Sequence, residues 1–167
     1  NEGHKCIVVG GGIGFIATLT YYLTKKKVFV FEINKYILPT LKKNLKLNKC
    51  DFKLFSKNLT INEKKKVKTF YLSKDFLDTT SRQIKKKKII VQNIDYKKID
   101  KKKYFNTLIV DAEGDEEYYI QSLKKLKNIK FIFFELHHNI FKKRQIENIM
   151  ETLKKYKFVE IDRCFNS

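Results

Sequence analysis

Arginine is nearly missing from this chain. Of 37 basic residues among 167, only Arg82, Arg144 and Arg163 are arginine, and the others are lysine. Arginine is the side chain suited to bidentate contacts with phosphates and base edges. Its scarcity argues against specific nucleic-acid reading, in spite of a formal net charge of +19. The lysines recur as runs at 25–27, 64–66, 85–88 and 101–103 rather than as one basic tail. They are read first as a solvated face. The second reading is a patch for a polyanion or an anionic membrane surface.

Long apolar runs are also missing. None reaches the roughly 20 residues of a membrane span, and the amino end has no basic-then-apolar signal pattern. Cysteine occurs three times, as Cys6, Cys50 and Cys164. The odd number and wide spacing favour free thiols over a disulfide framework, and no pair has the short spacing of a zinc site. Free thiols in a reducing, cytoplasmic setting are expected. Proline occurs once, as Pro39, in the first turn of an expected helix, where its missing N–H does no harm.

Glycine is scarce as well, yet four of its six occurrences, Gly10, Gly11, Gly12 and Gly14, fall within five positions. Around them the composition is that of a folded domain, 43% hydrophobic and 14% aromatic, and 167 residues suffice for one core. The chain is expected to be one domain over 1–167. It begins at Asn1 without methionine, so a trimmed chain is expected.

Hydrophobic spacing predicts strands at 6–9, 28–32 and 52–55, separated by helices at 13–23 and 37–47. This βαβαβ unit implies a parallel sheet with right-handed crossovers. Residues 57–94 read as an insertion-like, partly antiparallel region with strands at 67–72 and 88–94. Alternation then returns, with a strand at 107–111, a helix at 115–127, a strand at 131–136, a helix at 140–156 and a final strand at 158–165. The expected fold is α/β, a three-layer Rossmann-like sandwich on a mostly parallel sheet.

In such a sheet ligands bind at the carboxyl ends of the strands. The glycines stand at the first strand-to-helix turn, where the backbone must turn tightly and approach a ligand. Glu32 ends the second strand, twenty positions after Gly12. A carboxylate there can accept both hydroxyls of a ribose. The run from Gly12 to Ala17 fits a dinucleotide fingerprint, and Gly10, Gly12 and Gly14 fit the alternating loop used for S-adenosylmethionine. The loop leaves both ligands open.

A second cluster follows. LIVDAEGDEE places Asp111 and Glu113 at the end of one strand, and FIFFELHH places Glu135, His137 and His138 at the end of the next. All five are candidates for a general base. Asp111, Glu135 and His137 are also a conceivable set for a divalent cation, although no short spacing supports one and no metal is expected.

With these motifs in order, the chain resembles the FkbM-type methyltransferases, class I S-adenosylmethionine-dependent enzymes. The resemblance runs through VVGGGIGF, FEIN with NLKLN, VQNIDYKKI, LIVDAEG and FFELH. It implies S-adenosylmethionine held by Gly10, Gly12, Gly14 and Glu32, with Asn34 close by. It implies a sheet of the seven-stranded type, with the last strand expected to be missing here, and O-methylation of a hydroxyl on a sugar or other small metabolite. Many class I enzymes carry an acid two residues before the first glycine, where this chain has Val8. The methionine end would then rest on backbone groups or Asp111. Two other readings stay open, a dinucleotide-dependent oxidoreductase and a basic nucleic-acid-binding protein.

Overall fold

A computed structural model describes residues 3–72, 79–80, 87–137 and 140–162. Five parallel strands form the central sheet in the order β3-β2-β1-β8-β9. They are β1 (Cys6–Val9), β2 (Val28–Phe31), β3 (Phe52–Phe55), β8 (Thr107–Val110) and β9 (Phe131–Phe134). Strand order reverses between β1 and β8, so the first and fourth strand ends of the sheet lie side by side. The fold is a Rossmann-like α/β sandwich, as the strand-helix alternation implies.

The helices follow from the same periodicity. In α1 (Phe15–Thr24) Ala17 and Thr20 are buried against the sheet, and the helix ends where Lys25 turns left-handed and donates its N–H to Tyr21 O. Helix α2 (Leu38–Leu47) carries Pro39 in its first turn and buries Leu41 and Leu45. Each of these leucines contributes roughly 2–3 kcal/mol by leaving water. Both helices cover one face of the sheet through Val8, Val28 and Val30. The larger core, on the other face, gathers Ile7, Val9, Phe31, Leu108 and Val110 beneath α4 (Glu116–Gln121) and α5 (Lys143–Lys155). The residues expected to line one face of α5 do so: Ile149 and Leu153 are buried, while Ile146, Met150 and Tyr156 pack beside them.

The strands β4 (Asn58–Thr60), β5 (Val67–Leu72), β6 (Thr79–Thr80) and β7 (Lys87–Asp95) build a second sheet, ordered β4-β7-β5-β6. β5 is antiparallel to β7, as expected, and β4 runs parallel to it. A one-turn helix, α3 (Tyr96–Ile99), leads back to the central sheet. Tyrosines bind the second sheet to α4: Tyr119 Oη donates to Leu59 O at 2.8 Å, and Tyr118 Oη accepts from Ile61 N at 2.8 Å.

Among the described residues the central sheet has five strands, a Rossmann-like sheet short of the seven-stranded type, because the described strands between Asn58 and Asp95 pair among themselves. Two expectations need correction. The helix expected over 115–127 ends at Gln121 and tightens into a 3₁₀ turn at Leu123–Lys125. Leu123 and Leu126, three apart, are both buried, a spacing that fits three residues per turn. The final strand expected over 158–165 is not formed at 158–162, and 163–165 lie outside the described residues. Val159 is 82% exposed and Ile161 86%. Alternation of apolar and polar side chains makes a strand only where a neighbouring edge supplies hydrogen bonds.

Candidate functional site

Three acidic residues stand one position beyond the ends of three parallel strands. Glu32 N donates to Phe55 O, Asp111 N to Val9 O and Glu135 N to Val110 O, at 3.1, 2.9 and 3.1 Å. Each bond continues a strand ladder by one step, which fixes the backbone of these residues at the carboxyl edge of the sheet. There a cleft opens, with about 620 Å³ of space continuous with solvent. Gly10, Gly12, Glu32, Asp111, Glu113 and Asp115 line it from the central sheet and its loops, and Lys57, Asn58, Leu59 and Phe70 from the second sheet. The second sheet is thus a wall of the cleft, which its sequence did not announce.

The four loop glycines do different jobs. Gly10 has φ +83° and packs directly under Asp111 O, where a side chain would overlap the carbonyl. A methyl group on Gly11 would fall 2.7 Å from Val30 and 2.9 Å from Leu41, so this glycine lets the loop press on the core. Gly14, at φ +102°, is the entry of α1 and lies against Leu41, away from the cleft. Gly12, at φ +50°, has nothing within 4 Å of the place of a Cβ. Of the three glycines expected to hold a ligand, Gly10 and Gly12 line the cleft and Gly14 shapes the turn behind it.

The loop amides are already engaged. Gly10 N and Gly11 N donate to Phe31 O at 3.0 and 3.1 Å, and Gly14 N donates to Gly11 O at 2.9 Å. Gly12 N donates to Glu32 Oε2 at 2.9 Å, and the other oxygen of Glu32 accepts from Asn34 N at 2.7 Å. Glu32 is buried, and burial raises its pKa, while the N–H groups of Asn34 and Gly12 pull it back down. The N–H groups of Ile33 and Gly11 act on it in the same direction, and from this buried position Glu32 lines the cleft. Asn34 is fully buried and does not line the cleft. Its Oδ1 accepts from Tyr36 N at 3.1 Å and shapes the turn after β2.

Val8, where an acid was expected, is fully buried between Val28, Val30 and Ala17. An ionised carboxylate in that core would have no compensation.

The second motif forms a compact charge cluster. His137 Nε2 lies 3.4 Å from Glu113 Oε2 and 3.9 Å from Asp111 Oδ1. Its Nδ1, a buried atom, lies 3.4 Å from Glu116 Oε1 but without hydrogen-bond geometry. The contacts with Glu113 and then Glu116 raise the His137 pKa to about 10, against the opposing effect of burial. Burial first, then the negative charges of Glu135 and Glu113, push Asp111 up to about 6. Glu135 itself is exposed beside the cluster and does not line the cleft. His138 lies outside the described residues. One nitrogen or oxygen from each of Asp111, Glu113 and His137 lies within 4.8 Å of the others, a spacing wide enough to hold a cation. This set differs from the Asp111, Glu135 and His137 set read from sequence, because left-handed Glu113 (φ 48°) turns toward His137.

Sequence reasoning missed Glu116. It is fully buried, and its two oxygens accept from Ala112 N and Gly114 N at 2.8 Å each. It therefore folds the DAEG loop around itself and faces His137 from behind. The only available signal was an acid two positions after Gly114, hidden among other acids that suit a helix start.

The cluster makes stability depend on pH. The folded pKa of His137 lies above its usual 6.5. Its contribution is therefore complete below about pH 6.5 and is lost as pH rises through about 10. The raised pKa of Asp111 has the same sign in a lower window, so ionising Asp111 between about pH 4 and pH 6 lowers stability. The thermal unfolding midpoint should fall from about pH 6.5 to pH 10, and His137→Gln should flatten that fall. An equal slope in the variant would remove His137 as its source.

Cys6 is buried, which raises its thiol pKa to about 11, and Cys6 and Cys50 are free thiols. Among the described residues no helix is long and apolar enough to cross a membrane. Compared with known proteins, the chain matches no family model, no curated protein and no solved structure.

Proposed function

We propose that the protein is an S-adenosylmethionine-dependent methyltransferase that methylates a hydroxyl of a sugar or other small metabolite. The observation that carries this reading is the charge of the cleft. In a chain of net charge +19, the cleft is lined by Glu32, Asp111, Glu113 and Asp115, the last paired with Lys68 at 2.9 Å, with Lys57 as the basic residue among its walls and His137 behind Asp111 and Glu113. Such a lining favours a ligand with a sulfonium and an ammonium group and disfavours a pyrophosphate. The loop amides agree with it. A phosphate cradle needs N–H groups turned outward, whereas those of Gly10, Gly11, Gly12 and Gly14 donate within the protein. The dinucleotide oxidoreductase is therefore the weaker alternative.

In this reading Glu32 accepts hydrogen bonds from the ribose hydroxyls and Gly12 leaves room for the nucleoside. The FkbM resemblance suggests the same placement and supplies the acceptor class. S-adenosylmethionine held by these residues would supply the methyl group to the acceptor oxygen and leave as the thioether. The main task of the protein is to align the two. The acceptor proton must leave, and Asp111, with its pKa near 6, is matched to take it near neutral pH. Glu113 and His137 hold that carboxylate in a fixed field.

Thermal stabilisation tests the reading against its competitors. S-adenosylhomocysteine should raise the unfolding midpoint, and NAD or an oligonucleotide should not. At a ligand concentration of one hundred times Kd the stabilisation is about 2.7 kcal/mol. Glu32→Gln keeps the shape and one acceptor, and it should weaken the shift at least about tenfold in Kd, the loss of a charged hydrogen bond. A shift with NAD alone would refute the proposal.

A further inference from the structure

Outside the cleft, α1 turns an apolar stripe to solvent. Phe15, Leu19, Tyr22 and Leu23 are 70%, 44%, 48% and 76% exposed, and their spacing of four, seven and eight residues sets them on one helix face. Helix α2 lies beside it, joined by bonds from Asn44 Nδ2 to Ile13 O at 2.8 Å and from Tyr22 Oη to Asn48 O at 3.3 Å. On its outer side α2 adds Leu47, 68% exposed, among Lys42, Lys43 and Lys46. Neither helix contains an acid.

The charge around this stripe is more one-sided than in the rest of the chain. Residues 11–50 hold eight lysines and a single acid, the buried Glu32, whereas the whole chain has 37 basic and 18 acidic residues. Asp51, just beyond, pairs with Lys27 at 3.3 Å at the far end of α1. An apolar stripe in a basic field matches a negatively charged, partly apolar surface. A second copy of the chain would bring the same lysines face to face, which like-charge repulsion opposes. Nucleic acid would leave the aliphatic side chains Leu19, Leu23 and Leu47 without a partner, and the face has no arginine.

We infer that the α1–α2 face is a peripheral docking surface for an anionic lipid bilayer. Phe15, Leu19 and Leu23 enter the interface, and the lysines contact the headgroups. The inference stands apart from the methyltransferase reading, and its test uses no activity.

The experiment is co-sedimentation of the full chain with vesicles of phosphatidylcholine, with and without about 30 mol% phosphatidylserine. Binding is expected only to the anionic vesicles. Leu19→Gln with Leu23→Gln should weaken it at least about tenfold, and each of Lys42→Gln, Lys43→Gln and Lys46→Gln about fivefold. Circular dichroism should show the variants folded, because all five side chains are exposed. Sedimentation equilibrium and binding to a single-stranded oligonucleotide are measured in parallel. Three results would overturn the inference: equal binding to neutral vesicles or none to anionic ones; vesicle binding unchanged by the leucine pair, which marks a polyanion patch; or a dimer that the leucine pair dissociates, which assigns the face to self-association.

Discussion

Gly10→Ala is expected to give a protein that is severely destabilised, whereas Gly12→Ala, two residues on, should fold and fail to bind. Gly10 and Gly12 both have positive φ, +83° and +50°, so each substitution carries the left-handed cost of about 1–2 kcal/mol. The surroundings separate them. Gly10 sits where the ends of β1 and β8 meet, and a methyl group would occupy the place of Asp111 O. That atom is backbone and belongs to a strand whose ladder bond, Asp111 N to Val9 O, is 2.9 Å long. It cannot turn aside as a side chain does. Either the two strand ends part or the loop leaves Phe31. A loss of at least about 4 kcal/mol follows, a fall of roughly 8–16 °C in midpoint for a chain of this size.

Gly12 has no atom in the way. Its alanine variant should lose only about 1–2 kcal/mol. Its methyl group stands in the open space beside the cleft, so the thermal shift with S-adenosylhomocysteine should vanish. Differential scanning fluorimetry with and without the ligand reads both quantities. A Gly10→Ala protein with a near-normal midpoint would remove the close approach of β1 and β8 as the reason for glycine there.

Glu116→Ala carries the second large effect, although Glu116 does not line the cleft. Two N–H groups, of Ala112 and Gly114, lose their acceptor, and His137 loses one of the anions that keep it charged. Unpaired donors cost about 1–3 kcal/mol each where water cannot reach them. A total near 3 kcal/mol is expected, or roughly 6–12 °C. Glu116→Gln retains the shape, but its amide must set an N–H against one of the two backbone donors, so a smaller loss is expected. Both changes should lower the His137 pKa, read from the imidazole proton shifts against pH. A His137 titration unchanged in Glu116→Ala would deny Glu116 its part in the charge cluster, whatever happened to stability.

Short-range periodicity was enough for the βαβαβ unit, because CIVV, VFVF and FKLF are short apolar runs that are stable only inside a covered parallel sheet. Two cleft residues, Glu32 and Asp111, were legible for the same reason, since the last residue of a parallel strand must emerge at the ligand edge. The end of the chain was not legible. FVEID has strand-like alternation, but a strand requires a partner edge. The second sheet was recognised as strands but not as a cleft wall, because no local pattern tells that Leu59 and Phe70 meet Tyr119 across the chain.

By itself, the sequence determined the class of fold, the order of its central elements and the edge at which a ligand would sit. It also set a lysine-rich charge almost free of arginine, since composition and periodicity are local properties. Tertiary structure alone decided which of the glycines serve packing and which leave room, that Asn34 braces a turn instead of lining the cleft, and that Glu116 organises the DAEG loop from a buried position. Those outcomes depend on which atoms arrive opposite one another after the strands have aligned. Such distances, across twenty to a hundred residues of chain, are set by the packing of the whole sheet.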